Sequence, residues 1–369
     1  MLSLELDYPV IITLIGALIL GISSGVLSCY AVLRQQSLLG DAISHAALPG
    51  LCIAFLLTLS KSPLYLLSGA LIAGWLGTMF ILLITRQTLI KEDTALGIVL
   101  SVFFGVGILL LTMIQKIPSA RQSGLETYLF GSAASILKAD LYIMGGCLVV
   151  IICLVLLCWK EFKCLTFDYN YLFSLGFPVK RLEVLLTSLL VITIVIGLQT
   201  VGVILMSALI IAPGTAARQW TDQLGKMVII SAFISVFSGV IGVLLSSTIS
   251  HLPTGPTIVV VISICVTFSL FFAPKRGLII SWTRHFWNRK QLHKNTILTN
   301  FLLLARSHDD MTHPHDIEAL TVVGGKPTLS SLQKLEQQQL VKSYSNNAWG
   351  LTQKGVLLAQ KIHSKEDQS

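Results

Sequence analysis

The sequence predicts an all-α polytopic membrane protein of eight or nine transmembrane helices, followed by a small soluble α+β tail. Three observations predict it. Hydrophobic residues make up 54% of the 369 positions and charged residues only 12%, about half the charge of an ordinary soluble domain. Apolar runs long enough to span a bilayer recur through the first three quarters of the chain, VIITLIGALILGISSGVLSCYAVL and IVVVISICVTFSLFFA among them. The net charge of +8 is concentrated: Lys275, Arg276, Arg284, Arg289, Lys290 and Lys294 lie between Pro274 and Asn295 with no acidic residue among them.

That basic belt divides the chain into a transmembrane domain over 1–274, a juxtamembrane linker over 275–294 and a soluble domain over 295–369. A cationic stretch beside the last apolar run suits anionic lipid headgroups on the cytoplasmic side. Membrane lipid is therefore an expected partner. Seven cysteines are present, without a CxxC pair and mostly within apolar runs, so they read as small hydrophobes. Glu5 and Asp7 stand where a signal peptide would carry cations, so the first run is kept as a transmembrane helix.

Taken in order, the apolar segments fall at about 9–33, 42–59, 63–84, 97–114, 139–158, 182–198, 199–217, 226–246 and 257–273. The sixth and seventh meet at Gly197 to Gly202 without a polar loop. They read as two short helices, a re-entrant segment or one long broken helix. Placing the belt in the cytoplasm puts Arg34, Arg86, Lys91, Lys160, Lys163, Lys180, Arg181, Arg218 and Lys226 on that side, in keeping with the positive-inside rule. Nine passes then leave the N-terminus outside.

The stretch SLLGDAISHAALPG, Ser37 to Gly50, brings an acid and an imidazole to the mouth of the second segment. Asp41 and His45 are four residues apart, on one face of a helix, where a carboxylate oxygen and a ring nitrogen converge on one cation. Ionisable groups inside a bilayer are expensive and usually line a pathway or bind something. The alternative is a helix cap beside a buried, hydrogen-bonded histidine. Pro49-Gly50 predicts a break in the same helix, and Pro213-Gly214 in MSALIIAPGTAARQW predicts a second break that would shape a gate.

Between the fifth and sixth segments, KEFKCLTFDYNYLFSLGFPVKRLE interleaves Phe162, Leu165, Phe167, Tyr171, Leu172 and Leu175 with charges. It reads as a docking surface for a partner or as a helix lying on the membrane. In the tail, NTILTNFLLLARSH, HDIEALTVV (begun at Pro314) and TLSSLQKLEQQQLV (capped by Thr328) predict three helices. SYSNNAWGLTQKG predicts a hairpin turning at Asn346-Asn347, and GVLLAQKIH a last helix. This order resembles the winged-helix domains of bacterial repressors, whose wing ends in a turn like LTQKG. DNA binding requires an excess of cations. The tail has none beyond the belt, so a protein-interaction or regulatory role is expected and a nucleic-acid partner is not. His308, His313 and His315 form a candidate metal-sensing group, against the alternative of surface histidines that bind nothing.

With SLLGDAISHAALPG, QTVGVILMSALIIAPGTAARQW and LPTGPTIVVV in that order, the chain resembles the permease subunits of bacterial manganese, zinc and iron ABC importers over about 10–275. The resemblance implies a multi-pass protein of the bacterial cytoplasmic (inner) membrane with its tail in the cytoplasm. It implies pairing with a second permease subunit, identical or paralogous, delivery of metal by an extracytoplasmic binding protein, and drive from a separate ATP-binding subunit. It also implies that Asp41 and His45 coordinate the transported ion, and that Asp168 to Gly176, including Leu172, couples to the ATPase. Asn170 and Leu172 stand where the family commonly has an acid and an alanine.

One carboxylate and one imidazole per subunit, doubled across a dimer, form a mixed O/N set suited to Mn2+, Fe2+ or Zn2+ rather than copper(I). No permanent cofactor is expected. The chain carries no G-x-x-x-x-G-K-[ST] loop, H-E-x-x-H helix or G-x-S-x-G elbow, so it is read as a non-catalytic transport subunit. The alternatives are a membrane-tethered metal-responsive regulator and a stand-alone secondary metal transporter.

Overall fold

In the computed structural model the described residues are 8–36, 38–59, 62–116, 138–249, 252–305, 311–323, 329–345 and 347–366. They divide into two units that meet in sequence between Leu278 and Ile279.

The first unit is a helical bundle. Its long helices are α1 (Tyr8–Leu33), α2 (Leu39–Thr58), α3 (Pro63–Gln87), α4 (Glu92–Gln115) and α5 (Lys138–Leu157). Two short helices follow, α6 (Trp159–Phe167) and α7 (Tyr169–Ser174). Then come α8 (Val179–Val201), α9 (Val203–Trp220), α10 (Leu224–Thr248) and α11 (Thr254–Phe272). All nine apolar segments are helical, which satisfies their backbone groups internally, as lipid requires. Among the described residues, eight helices are long and apolar enough to cross a membrane; α9 falls outside that set. None of its described side chains is exposed. It packs against α1, α2, α10 and α11 in the interior.

Helices α8 and α9 turn sharply against each other at Gly202, whose φ of 82° is in the left-handed region. Close beyond the corner the helices touch: a Cβ on Gly197 would lie 2.0 Å from Met206 Sδ. The break therefore sits at Gly202 and not at Pro213, where α9 runs on unbroken. Likewise α2 passes through Pro49 without a break. Neighbouring helices hold both prolines in place: Pro49 is buried, and the Gly214 N–H donates to Ser28 Oγ of α1 at 2.8 Å.

Small residues set the closest approaches. Ala46, Gly50 and Ala54 of α2 meet Gly77, Ala73 and Gly69 of α3, at i,i+4 spacing on both helices. A Cβ on Gly50 would stand 2.1 Å from the Gly69 carbonyl oxygen, so backbone packs on backbone, as in small-xxx-small membrane pairs. Antiparallel α1 and α10 approach the same way, Gly25 against Ala232 and Gly21 against Val236. Ser24 and Ser235 hydroxyls pair across them at 3.3 Å, and Ser231 Oγ donates to the Gly25 carbonyl at 2.6 Å.

Polar residues gather at one end of the bundle. Glu183 of α8 pairs with Arg34, after α1, at 2.5 Å and with Arg86 of α3. Gln36 Nε2 donates to Glu92 Oε1 of α4 at 2.6 Å. The α1–α10 pairing places the loop after α9 at this end too. There Asp222 accepts from Lys275 at 3.0 Å and from Arg276 at 2.8 Å. The Lys275 hydrogen bond, reinforced by both cations, holds the Asp222 carboxyl below the usual carboxylate range. This clamp is present above the ordinary carboxylate pKa and is lost as pH falls through the lowered one.

In the second unit α12 (Leu278–Ala305) begins well before Asn295, so most of the stretch read as a linker is helical. Next come β1 (His315–Asp316), α13 (Ile317–Val323), α14 (Leu329–Gln337), β2 (Val341–Ser343), β3 (Ala348–Leu351) and α15 (Gln353–Glu366). The strands form an antiparallel sheet in the order β1-β3-β2. His315 and Asp316, expected to open a helix at Pro314, instead pair with Trp349 and Ala348. The helix expected to reach Val341 ends at Gln337, because Gln339 turns at φ 58° and Val341 enters the sheet. The expected cap Thr328 and turn residue Asn346 lie outside the described residues. A core of Phe301, Leu302, Leu320, Leu332, Trp349 and Leu351 holds the unit together. Thr352 Oγ1 accepts from the Gly355 N–H at 3.1 Å and donates to the Gln339 carbonyl at 2.7 Å. A Cβ on Gly355 would meet the Leu340 carbonyl oxygen at 2.0 Å. The LTQKG turn thus needs both its threonine and its glycine.

Candidate metal site

Asp41 lies in the first turn of α2 and His45 one turn on. The helix stacks them as their spacing predicts, with His45 Nε2 3.5 Å from Asp41 Oδ1. Two ligands about 2.1 Å from one ion at a tetrahedral angle stand about 3.4 Å apart. The pair therefore fits two corners of one coordination sphere with little movement. Among the described residues no group of three or more His, Cys, Asp or Glu residues is placed to hold a metal. The side chains are partly open, 38% exposed for Asp41 and 21% for His45.

The neighbours fix the depth of the pair. Ala46 abuts Gly77 of α3, and the His45 ring meets Phe104 of α4 edge to face, with centroids 4.6 Å apart and planes at 73°. Phe104 is 12 residues past Glu92 in a helix of 24, about 18 Å along an axis of about 36 Å. Gly77 is similarly placed in α3. Asp41 thus stands at the mouth of α2 as expected, while His45, one turn on, lies level with the middle of α3 and α4. Gly40 rests against Ile210, so the buried helix α9 backs the site.

His45 Nδ1 is buried and has no hydrogen-bond partner among the described residues. The ring of a ligating histidine is usually aimed by a hydrogen bond at its second nitrogen. Here the edge-to-face contact with Phe104 is the aromatic packing that restrains the ring. Replacing Phe104 with leucine keeps an apolar side chain but removes the aromatic contact and frees the ring. Metal affinity is expected to fall about tenfold, measured by equilibrium binding to the purified protein, with its melting temperature little changed. Pro49 has no N–H, so the His45 carbonyl, four residues back, lacks its usual helical donor.

The remaining expected residues are dispersed. Asp168 Oδ1 accepts from the Tyr171 N–H at 2.8 Å and caps α7. Leu172 is buried, 2% exposed, in the main core. Gly176 takes a φ of 81° in the turn after α7. Of the expected docking residues Phe167, Tyr171 and Leu175 are exposed, together with Tyr169, Phe173 and Phe177, whereas Phe162 and Leu165 are buried in the core like Leu172. Pro213 and Gly214 lie in the continuous α9 against α1. His313 and His315 are neighbours, with ring centroids 5.5 Å apart; His308 lies outside the described residues. The sequence reading missed Phe104 and Glu183. The available signal for Glu183 was a carboxylate beside the start of an apolar span, on the side read as arginine-rich.

A bundle of membrane-length helices with an acid–imidazole pair inside it and an exposed apolar elbow at one end defines a polytopic membrane transport protein. Residues 7–273 match the ABC 3 transport family. The chain belongs to that family. It is 43% identical to the "Manganese transport system membrane protein MntC" of Bacillus subtilis, over 93% of this chain and 79% of that one. It is 46% identical to the "Zinc transport system membrane protein TroC" of Treponema pallidum, over 78% of this chain and 95% of that one. Among solved structures it is similar to "PsaBC from Streptococcus pneumoniae in complex with Fab", with a TM-score of 0.65 and 31% identity, over 74% of this chain and 95% of that one.

Proposed function

We propose that the protein is the permease subunit of an ABC importer that carries divalent manganese, zinc or iron into the cytoplasm, and that Asp41 and His45 hold the ion in transit. The single observation that carries this reading is the pair inside the bundle, 3.5 Å apart and partly open. An acid and an imidazole there are costly unless they serve a passing ion. Two ligands complete no coordination sphere, so a second permease subunit, identical or paralogous, supplies the other half across the pore. An O/N set without thiolate binds such ions loosely enough for release. Delivery to the outer mouth falls to an extracytoplasmic metal-binding protein.

ATP hydrolysis belongs to a separate subunit that docks on α6 and α7. The exposed Tyr169, Tyr171, Phe173 and Leu175 support this, since large apolar side chains left exposed in one short segment at the cationic end suit a partner's footprint. Asp168, Leu172 and Gly176 shape the elbow by capping, anchoring and turning it. The same cationic end faces the cytoplasm under the positive-inside rule.

Co-expression with the ATP-binding subunit, purification and metal analysis of the complex tests this reading. The ATPase subunit is expected to co-purify, with manganese, zinc or iron bound. Tyr171→Asp with Phe173→Asp is expected to lose the ATPase while the permease keeps its metal. Recovery of the permease without an ATPase, yet competent for uptake, would contradict it.

A further inference from the structure

Glu183 occupies an unusual position in this bundle. It is 8% exposed, and its two carboxylate oxygens are divided between two cations on different elements, Arg34 in the α1–α2 turn and Arg86 near the end of α3. Both elements bear on α2. The α1–α2 turn leads directly into Asp41, and α3 packs backbone to backbone on α2 through Gly69, Ala73 and Gly77.

On its other side Glu183 is joined to the docking elbow by a short, stiff connector. Leu172 anchors α7 in the core, Gly176 makes a left-handed turn, and Pro178 immediately precedes α8. The N–H groups of Arg181 and Leu182 close on the Pro178 carbonyl at 2.9 and 3.2 Å. A displacement of α7 therefore reaches the first turns of α8 with little slack. A second strut runs from Phe162 of α6 to Tyr30 of α1, buried rings 6.0 Å apart.

We propose that Glu183 is the positioning residue through which the docking helices α6 and α7 act on the helix that carries Asp41 and His45. The inference rests on the permease reading above. A permanent staple would be expected to satisfy all its polar groups. Among the described residues this cluster leaves Arg34 Nη1 and Gln36 Oε1 buried without partners. One is a donor and the other an acceptor, and both sit in the turn that leads to Asp41 and His45. They provide a second set of hydrogen bonds for an arrangement in which Glu183 has withdrawn. Glu183 thus links a partner's movement to the inner end of α2 and touches no metal itself.

The test uses the full-length permease assembled with its ATPase subunit in vesicles, with Mn2+ as probe. Glu183→Gln keeps the shape and removes the charge. Mn2+ uptake is expected to fall at least about tenfold, within the usual range of coupling between sites. Equilibrium Mn2+ binding, retention of the ATPase and its metal-independent hydrolysis are expected to persist. Arg86→Gln removes one of the two pairs and is expected to give an intermediate loss; Arg86→Lys is expected to restore uptake. Wild-type uptake in Glu183→Gln would overturn the proposal. So would a parallel loss of uptake, Mn2+ binding and melting temperature in both Glu183→Gln and Arg86→Gln, which marks a purely structural staple. A wild-type complex that takes up no metal at all would instead overturn the permease reading.

Discussion

Alanine at Asp41 or His45 is expected to abolish metal uptake while the permease still reaches the membrane and still binds its ATPase. This follows from the small number of ligands the site has. Each subunit offers one carboxylate and one imidazole, 3.5 Å apart, and no group of three potential ligands exists among the described residues. Removing an outer-sphere partner of a metal site typically costs 10- to 100-fold in affinity, so losing a direct ligand from a site this sparse is expected to cost at least about 100-fold. The structural cost is low, since both side chains are partly open and make no buried salt bridge. Uptake of radioactive Mn2+ or Zn2+ in cells lacking other importers, with surface expression measured in parallel, checks it. Asp41→Asn separates the roles further: it keeps an oxygen donor but loses the charge, and is expected to retain only a small fraction of uptake.

The second large effect concerns the packing that holds the pair in place. Gly50→Ala puts a methyl group 2.1 Å from the Gly69 carbonyl oxygen and 2.4 Å from Ala73 Cβ. Neither neighbour is a flexible side chain, so α2 and α3 must separate by roughly 1 Å. Overpacking of this kind costs about 1–3 kcal/mol, and here it also moves the helix that carries Asp41 and His45. A melting temperature several degrees lower in detergent is expected, with uptake reduced in proportion to the surviving fold. Gly105→Ala is the matched control. A Cβ there meets nothing within 4 Å, and alanine favours the helix over glycine by up to about 1 kcal/mol. Neutral or slightly raised stability is expected. Equal losses at the two positions would contradict the packing account.

The apolar runs make the bundle legible in the sequence, because lipid leaves a spanning chain so few options. The nine apolar segments became nine helices, and the spacing of Asp41 and His45 already placed them on one face. What sequence did not reveal was how neighbours override local signals. Proline at 49 and at 213 reads as a breaker, yet both sit inside continuous helices. The break falls at Gly202, where only the left-handed φ distinguishes one glycine among many. Depth was illegible too. Asp41 does open α2, but Phe104 and Gly77, near the middle of α4 and α3, show that α2 itself begins inside the bundle.

The charges tell a similar story. Arg34 and Arg86 entered the sequence reading as topology markers, and their shared partner Glu183 lies 97 residues from the nearer of them in the chain. No local pattern announces a pairing of that range. In the second unit, β1 is two residues long and exists only by virtue of Trp349 and Ala348 opposite it. Leu172 shows the limit of reading amphipathicity from one segment: it was grouped with the docking residues and is instead the anchor beneath them.

The central claim is that a transported cation is held by Asp41 and His45, and pulsed electron paramagnetic resonance tests it most directly. The full-length permease with its ATPase subunit would be loaded with Mn2+ and examined for coupling between the ion and an imidazole nitrogen. The account predicts such a coupling in the wild type and fewer coupled nitrogens, or none, in His45→Ala. An unchanged nitrogen coupling in His45→Ala would place the ion elsewhere and contradict the account.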